Sequence, residues 1–144
     1  MRNCRRGFTL IELIVVNAAL LILCALAIIE MSPQIMLARE TAAIRQIKTI
    51  HTAEAQYYAQ FGKYANKLAA TGPQAAGLIP ENLASGKKSG YLFEVGSTSE
   101  GYAVTAAPEK FGKSGRRSFF SDQTLVVRTS WTAESASANS PPIE

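Results

Sequence analysis

The chain has 144 residues, the size of one domain or of one domain plus an anchor. Apolar residues make up 47% of it, which excludes wholesale disorder, and 15 basic against 11 acidic side chains give a formal charge of +4. Such a balance invites a nucleic-acid or membrane-surface reading until the charge is located.

Three of the basic residues, Arg2, Arg5 and Arg6, lie in the first seven positions. The remainder holds 12 basic and 11 acidic residues, a net of +1. The basicity belongs to a leader, and the orientation rule makes such a flank cytoplasmic. An apolar run, Leu13 to Ile29, follows and is broken only by Asn17. It is about long enough for a bilayer core, which takes roughly 20 residues. The two cysteines, Cys4 in the leader and Cys24 in the run, can hardly pair, so no disulfide framework is expected. Leu23 is too large for a lipoprotein site before Cys24, which reads as a small apolar residue.

A secretory leader carries its small-residue cleavage site after the apolar stretch. Here the small residue, Gly7, comes before it. Cleavage after Gly7 would discard the charges, keep the helix and leave Phe8 as the new N-terminus. Glu12 then stands near the start of a membrane segment, where an unpaired carboxylate costs on the order of 2–3 kcal/mol. Its partner could be the Phe8 amine of its own chain, four residues earlier, or that of a neighbour. A snorkelling acid at the interface is the plainer alternative.

The string Arg6-Gly7-Phe8-Thr9-Leu10-Ile11-Glu12-Leu13 resembles the processing site of type IV prepilins and type II secretion pseudopilins. The resemblance implies peptidase cleavage between Gly7 and Phe8 and N-methylation of Phe8. It also implies that Glu12 reads the Phe8 amine of the next subunit during assembly. Many members of that family have a helix-breaking glycine and proline in the apolar segment. This chain has Leu21 and Ile29 there, and its first proline is Pro33, so local melting is not expected before Pro33. Asn17 could bond between packed helices or back to its own backbone.

Beyond Pro33 a helical pattern resumes. Met36, Ala43, Ile47, Ile50, Tyr57 and Phe61, with Ile44 and Tyr58 alongside, form one apolar stripe. Arg39, Glu40, Arg45, Lys48 and Glu54 fall between and are expected on the polar side. Helix from Phe8 to about Gln60 would be about 80 Å long, with Gly62 as its stop. Residues 62–90 read as a long connection with one short helix near Pro80–Ser85. Tyr91–Val95 and Tyr102–Ala106 read as a hairpin, and Ser118–Ser121 with Leu125–Thr129 as a second pair across Asp122-Gln123-Thr124. Residues from Thr132 read as a disordered tail.

The expected fold is therefore α+β: a long N-terminal helix packed on a small antiparallel sheet of three or four strands. Its first half is membrane-spanning and its second half amphipathic. The segments are a leader (1–7), an assembly helix segment (8–31), an amphipathic segment (32–61), a connection (62–90), the sheet (91–131) and the tail (132–144). Ile47–Phe61, Leu83–Tyr91 and Arg117–Arg128 also resemble a group of environmental bacterial pilin-like proteins. Those proteins carry glycine where Leu125 stands, so the turn after Asp122 is expected to differ.

No catalytic constellation is expected, so the chain is read as not an enzyme. Gly112-Lys113-Ser114 ends like a phosphate-binding loop, but Ala107 stands where its first glycine belongs and a strand follows, so it reads as a basic turn. His51 is the only histidine, which leaves metal clusters and histidine triads without parts and makes it a surface or packing residue. Asp122 is the only aspartate, and with Ser121 and Thr124 it is too little for calcium. No cofactor and no metal is expected. Lys110, Lys113, Arg116, Arg117 and Arg128 beside Phe119 and Phe120 could make a patch for single-stranded DNA, but a solvated face is preferred.

The expected function is a structural subunit of a type IV pilus-like filament, the alternative being a type II secretion pseudopilin. A singly anchored periplasmic binding protein, enzyme or sensor is the lesser reading. What the resemblance implies for partners is further copies of the chain, the prepilin peptidase and methylase, an inner-membrane assembly platform with its ATPase, and membrane lipid. The precursor is placed in the inner membrane, single-pass with its N-terminus cytoplasmic. The assembled form is placed in a cell-surface pilus or a periplasmic pseudopilus.

Overall fold

The computed structural model describes residues 8–143. The expected leader, with Gly7 and Cys4, lies outside the described residues. One helix, α1, runs Leu10–Phe61, 52 residues with Pro33 inside it. Gly62 ends it: its φ is +68° and its N–H bonds the Tyr58 carbonyl at 2.8 Å, the left-handed cap that glycine adopts without strain. Among the described residues no helix is long and apolar enough to cross a membrane. The spanning expectation for residues 8–31 thus rests on sequence.

The portion up to Ile35 and the portion from Met36 onward are two compact units. In the second, α1 is followed by a 3-10 turn (Leu68–Thr71), a one-turn helix α2 (Glu81–Ala84) and five strands: β1 (Lys87–Lys88), β2 (Tyr91–Ser97), β3 (Tyr102–Pro108), β4 (Ser118–Asp122) and β5 (Val127–Ser130). They form an antiparallel meander in the order β1-β2-β3-β4-β5. The expected short helix near Pro80–Ser85 is α2. The first strand lies inside the expected connection because Ser89-Gly90, with φ of +54° and +77°, makes a two-residue hairpin turn into Tyr91.

In β2 and β3 alternate residues face the helix. Tyr91, Phe93, Val95, Tyr102, Val104 and Ala106 join Phe119 of β4 and the α1 residues Ala43, Ile47, Ile50 and Ala53 in one core. Each large side chain so buried contributes about 1.5–3 kcal/mol. Gly115 is demanded by close approach, since a Cβ there would overlap the Tyr91 hydroxyl, which donates to the Arg117 carbonyl at 2.8 Å.

Three expectations need correction. Phe61 and Tyr58 are exposed and Tyr57 only half-buried, because the sheet covers α1 no further than about Glu54. Glu40 and Glu54, expected on the polar side, are buried. The buried positions 36, 40, 43, 47, 50 and 54 keep alternating steps of four and three, so both acids lie on the stripe itself. The tail is packed rather than disordered. Thr129 and Ile143 N–H groups bond the Pro141 and Val127 carbonyls, both at 2.9 Å, and Ala136 is buried with its N–H on Ser118 Oγ. Pro141 and Pro142 lie along β5, where missing N–H groups discourage further strand addition.

The turn between β4 and β5 puts Leu125 at φ +64°, with its side chain 63% exposed. This is the conformation that glycine takes freely and a leucine takes at a cost of about 1 kcal/mol. Leu125→Gly is therefore expected to raise stability slightly, by up to about 0.5 kcal/mol in urea titration, after the larger unfolded-state entropy of glycine is subtracted. A loss of stability would mean that the exposed side chain packs more strongly than its backbone is strained.

Candidate functional site

The distinguishing feature of the first unit, among the described residues, is a surface. Every large apolar residue from Phe8 to Leu23 presents between 48% and 77% of its surface, on all sides of the helix. A helix apolar all round is stable only in lipid or among other helices. Asn17 turns its amide inward, donating to the Leu13 carbonyl at 2.8 Å, so the polar group of this stretch is satisfied on its own helix.

Phe8 and Glu12 are both exposed, four residues apart, and the Phe8 nitrogen is a peptide nitrogen until the chain is cut. Thr9 precedes α1. Its carbonyl accepts the Glu12 N–H at 3.1 Å, while its hydroxyl lies 3.4 Å from both that N–H and Glu12 Oε2. The spacing Thr9-Leu10-Ile11-Glu12 is a capping-box pattern, with the acid at the positive end of the helix dipole. It was legible in the sequence as a Ser/Thr followed three residues later by an acid, directly before an apolar run.

In the second unit the two glutamates of the stripe hold loops to α1. Glu40 accepts the Arg116 N–H at 2.8 Å and the Arg117 Nε–H at 2.7 Å in a largely buried ion pair. The Arg117 guanidinium also lies over Phe119 and Trp131, 5.5 and 5.0 Å from the ring centroids. Glu54 Oε2 accepts the Ala65 N–H at 2.9 Å, while its fully buried Oε1 has no partner among the described residues. Burial pushes the Glu54 carboxyl above its ordinary range against that one hydrogen bond.

His51 is buried where α1 meets β3 and β4. Its Nδ1 lies 2.5 Å from the Tyr102 hydroxyl and its Nε2 2.8 Å from Ser121 Oγ. Ser121 Oγ is also 3.0 Å from the Val126 carbonyl, which can only accept. The hydroxyl proton of Ser121 therefore goes to Val126, Nε2–H donates to Ser121, and Nδ1 accepts from Tyr102. A serine fully buried with its proton so committed is no nucleophile, and His51 is a packing residue, as its place on the helix suggested. Burial, followed by the charge of Glu54, pushes the Tyr102 phenol up to about 12.

The basic patch weighed as the lesser reading does not assemble. Phe119 is in the core, Arg117 is paired with Glu40, and Arg128 donates to the Ser140 carbonyl at 3.0 Å. Asp122 is committed to its own turn, where Oδ1 accepts the Thr124 N–H and hydroxyl at 2.9 and 2.5 Å. The Thr124 hydroxyl is the main reason that its carboxyl lies below the ordinary range. Among the described residues no group of three or more His, Cys, Asp and Glu could hold a metal ion. The Gly112-Lys113-Ser114 stretch is a tight turn, with Gly112 N–H bonded to the Gly115 carbonyl.

The prokaryotic N-terminal methylation motif matches residues 2–29. It is the signature of type IV pilins and pseudopilins, which are structural subunits rather than enzymes. It implies a membrane-anchored precursor, processing by a prepilin peptidase and assembly into a pilus-type filament. No curated protein and no solved structure matches the chain.

Glu40→Ala leaves a largely buried guanidinium and the Arg116 N–H unpaired. It is expected to destabilise the sheet-bearing portion by about 3 kcal/mol in chemical denaturation. A cost below about 1 kcal/mol would show that water takes over both donors.

Proposed function

We propose that the chain is a subunit of a type IV pilus-like filament, made as a prepilin whose residues 1–7 are removed. The carrying observation is the methylation motif over residues 2–29, continued by a helix whose apolar surface has no cover within the first unit. In this reading the prepilin sits single-pass in the inner membrane, leader in the cytoplasm, residues 8–31 in lipid. Cleavage after Gly7 removes three arginines and frees the amine of Phe8, which is then methylated. The assembly platform and its ATPase lift the subunit into a helical, non-closing array in which α1 segments of neighbours replace lipid around each other. Glu12, costly to bury alone, finds its counter-charge in the Phe8 amine of the adjoining subunit, and this sets the axial register. Before that exchange its carboxylate rests against Thr9 at the helix start.

A type II secretion pseudopilin shares the motif and every step up to extraction. The pilus is preferred because the connection over residues 62–90 is long and the sole aspartate, Asp122, with Ser121 and Thr124, is too little for a calcium loop. Electron microscopy of cell-surface fibres from cells making the chain separates the two.

Gly7→Ala is expected to retain the leader, and mass spectrometry of the wild-type protein is expected to find a methylated chain beginning at Phe8. A mature chain beginning elsewhere rejects the prepilin reading. Glu12→Ala is expected to be cleaved normally while filament yield falls at least about tenfold, as loss of a desolvated ion pair implies. Undiminished filaments from that variant would remove Glu12 from register setting.

A further inference from the structure

We propose that His51 is an acid-sensitive clasp that holds the β4–β5 hairpin to α1 at neutral pH and releases it as the surroundings acidify. The clasp is a single directed chain of hydrogen bonds. Tyr102 of β3 donates to Nδ1, Nε2–H donates to Ser121 of β4, and Ser121 donates to the Val126 carbonyl in the turn. Each member has one proton to give and gives it forward, so the buried ring fits only as the neutral Nε2–H tautomer. A second proton on Nδ1 would make Tyr102 the acceptor and turn its hydroxyl proton away from the ring, and the charge would lie where only 7% of the residue meets solvent.

The far end of the chain is at the strained residue. Val126 adjoins Leu125, whose φ of +64° disfavours the closed turn. The clasp requires a second arrangement of the hairpin, released at the turn and free of that strain, while β4 keeps its pairing with β3, and the ring's protonation state biases the choice. A cleft of about 450 Å³ lined by His51, Thr52, Tyr64, Tyr102, Gln123 and Leu125 lies beside the clasp, which gives the side chains room to move.

The groups around the ring differ in what acid does to them. From β4, the Asp122 carboxylate favours the imidazolium but is outweighed by burial, so His51 titrates below its ordinary 6.5. From β3, Tyr102, whose phenol burial pushes up to about 12, stays neutral throughout, and from the segment after α1 the ring of Tyr64 lies beside it. On α1, Lys48 is one turn before and exposed, and Glu54 one turn after and buried. In the window below 6.5 the released state binds more protons than the clasped one. Stability conferred by the clasp is complete above 6.5 and falls as pH drops below it. Glu54 acts in the opposite direction. Its raised carboxyl makes the folded state bind the extra proton from 4.5 upward, so acid favours folding there. A wild-type stability curve alone mixes the two, and a variant lacking only the histidine separates them.

The test uses the full-length chain in detergent micelles. With one histidine in the sequence, its ring resonances are assigned without ambiguity and are followed by NMR from pH 8 to 4.5. Hydrogen exchange, corrected for its intrinsic pH dependence, is read at β4–β5 and at β2–β3. The clasp requires the ring to titrate below 6.5 as the Nε2–H tautomer. It also requires the β4–β5 opening equilibrium to rise by up to about tenfold per pH unit below 6.5, with β2–β3 much less affected. In His51→Gln the acid-dependent part of that opening should vanish. A ring that titrates at or above 6.5, or equal acid response in the two pairs of strands, overturns the proposal. So does an unchanged acid response in His51→Gln. If that variant does not fold, the wild-type titration and exchange decide alone.

Discussion

One face of α1 between Met36 and Glu54 is covered by a meander sheet, and the rest of the second unit follows from that covering. A lone helix of this composition would not hold its shape in water, and five short antiparallel strands with a single apolar face would not either. Each supplies what the other lacks. Ile47 and Ile50 share one core with Tyr91, Phe93, Val104 and Phe119. Gly115 has no Cβ because the Tyr91 ring needs its place.

The stripe carries polar residues in three of its turns, and each fastens a different piece of chain. Glu40 fixes the segment before β4 through Arg116 and Arg117, His51 fixes β3 and β4, and Glu54 fixes the segment after the helix through Ala65. Buried polar groups contribute little net stability, since desolvation offsets most of their attraction. What they do is exclude wrong arrangements: an apolar stripe tolerates sliding, whereas a carboxylate aimed at one N–H does not. That restriction suits a subunit which, in the filament reading, has to present the same surface in every copy.

The first unit obeys a different rule. Its described apolar residues face outward, and in the filament reading their covering comes from outside the chain, while the polar side chains of Asn17 and Thr9 turn to Leu13 and Glu12 of the same helix start. Polarity that is exposed in a lipid or filament environment is expensive, so self-satisfaction is what that environment requires. Glu12 is the exception: its contact with Thr9 is long, 3.4 Å, which in the filament reading leaves its carboxylate for the amine of a neighbouring Phe8.

Legible in the sequence alone were a long helix with an apolar stretch before an amphipathic one, the short helix α2, and the hairpins β2–β3 and β4–β5. These properties are local: period 3.6, period 2, glycine and proline punctuation. The sequence also contained the methylation motif, whose meaning depends on contiguous residues alone. The tertiary structure decided what periodicity cannot. Glu40 and Glu54 are acids by type and core by position, and only the distant Arg116, Arg117 and Ala65 resolve the conflict. The tail is polar in composition yet ordered, because β5 offers it an open edge. Leu125 could be seen to stand where glycine is usual, but its strain exists only once β4 and β5 are in register. Donor and acceptor pairing across 11 to 77 residues leaves no trace in the order of the residues themselves, and that is where the loops, the tail and His51 acquired their roles.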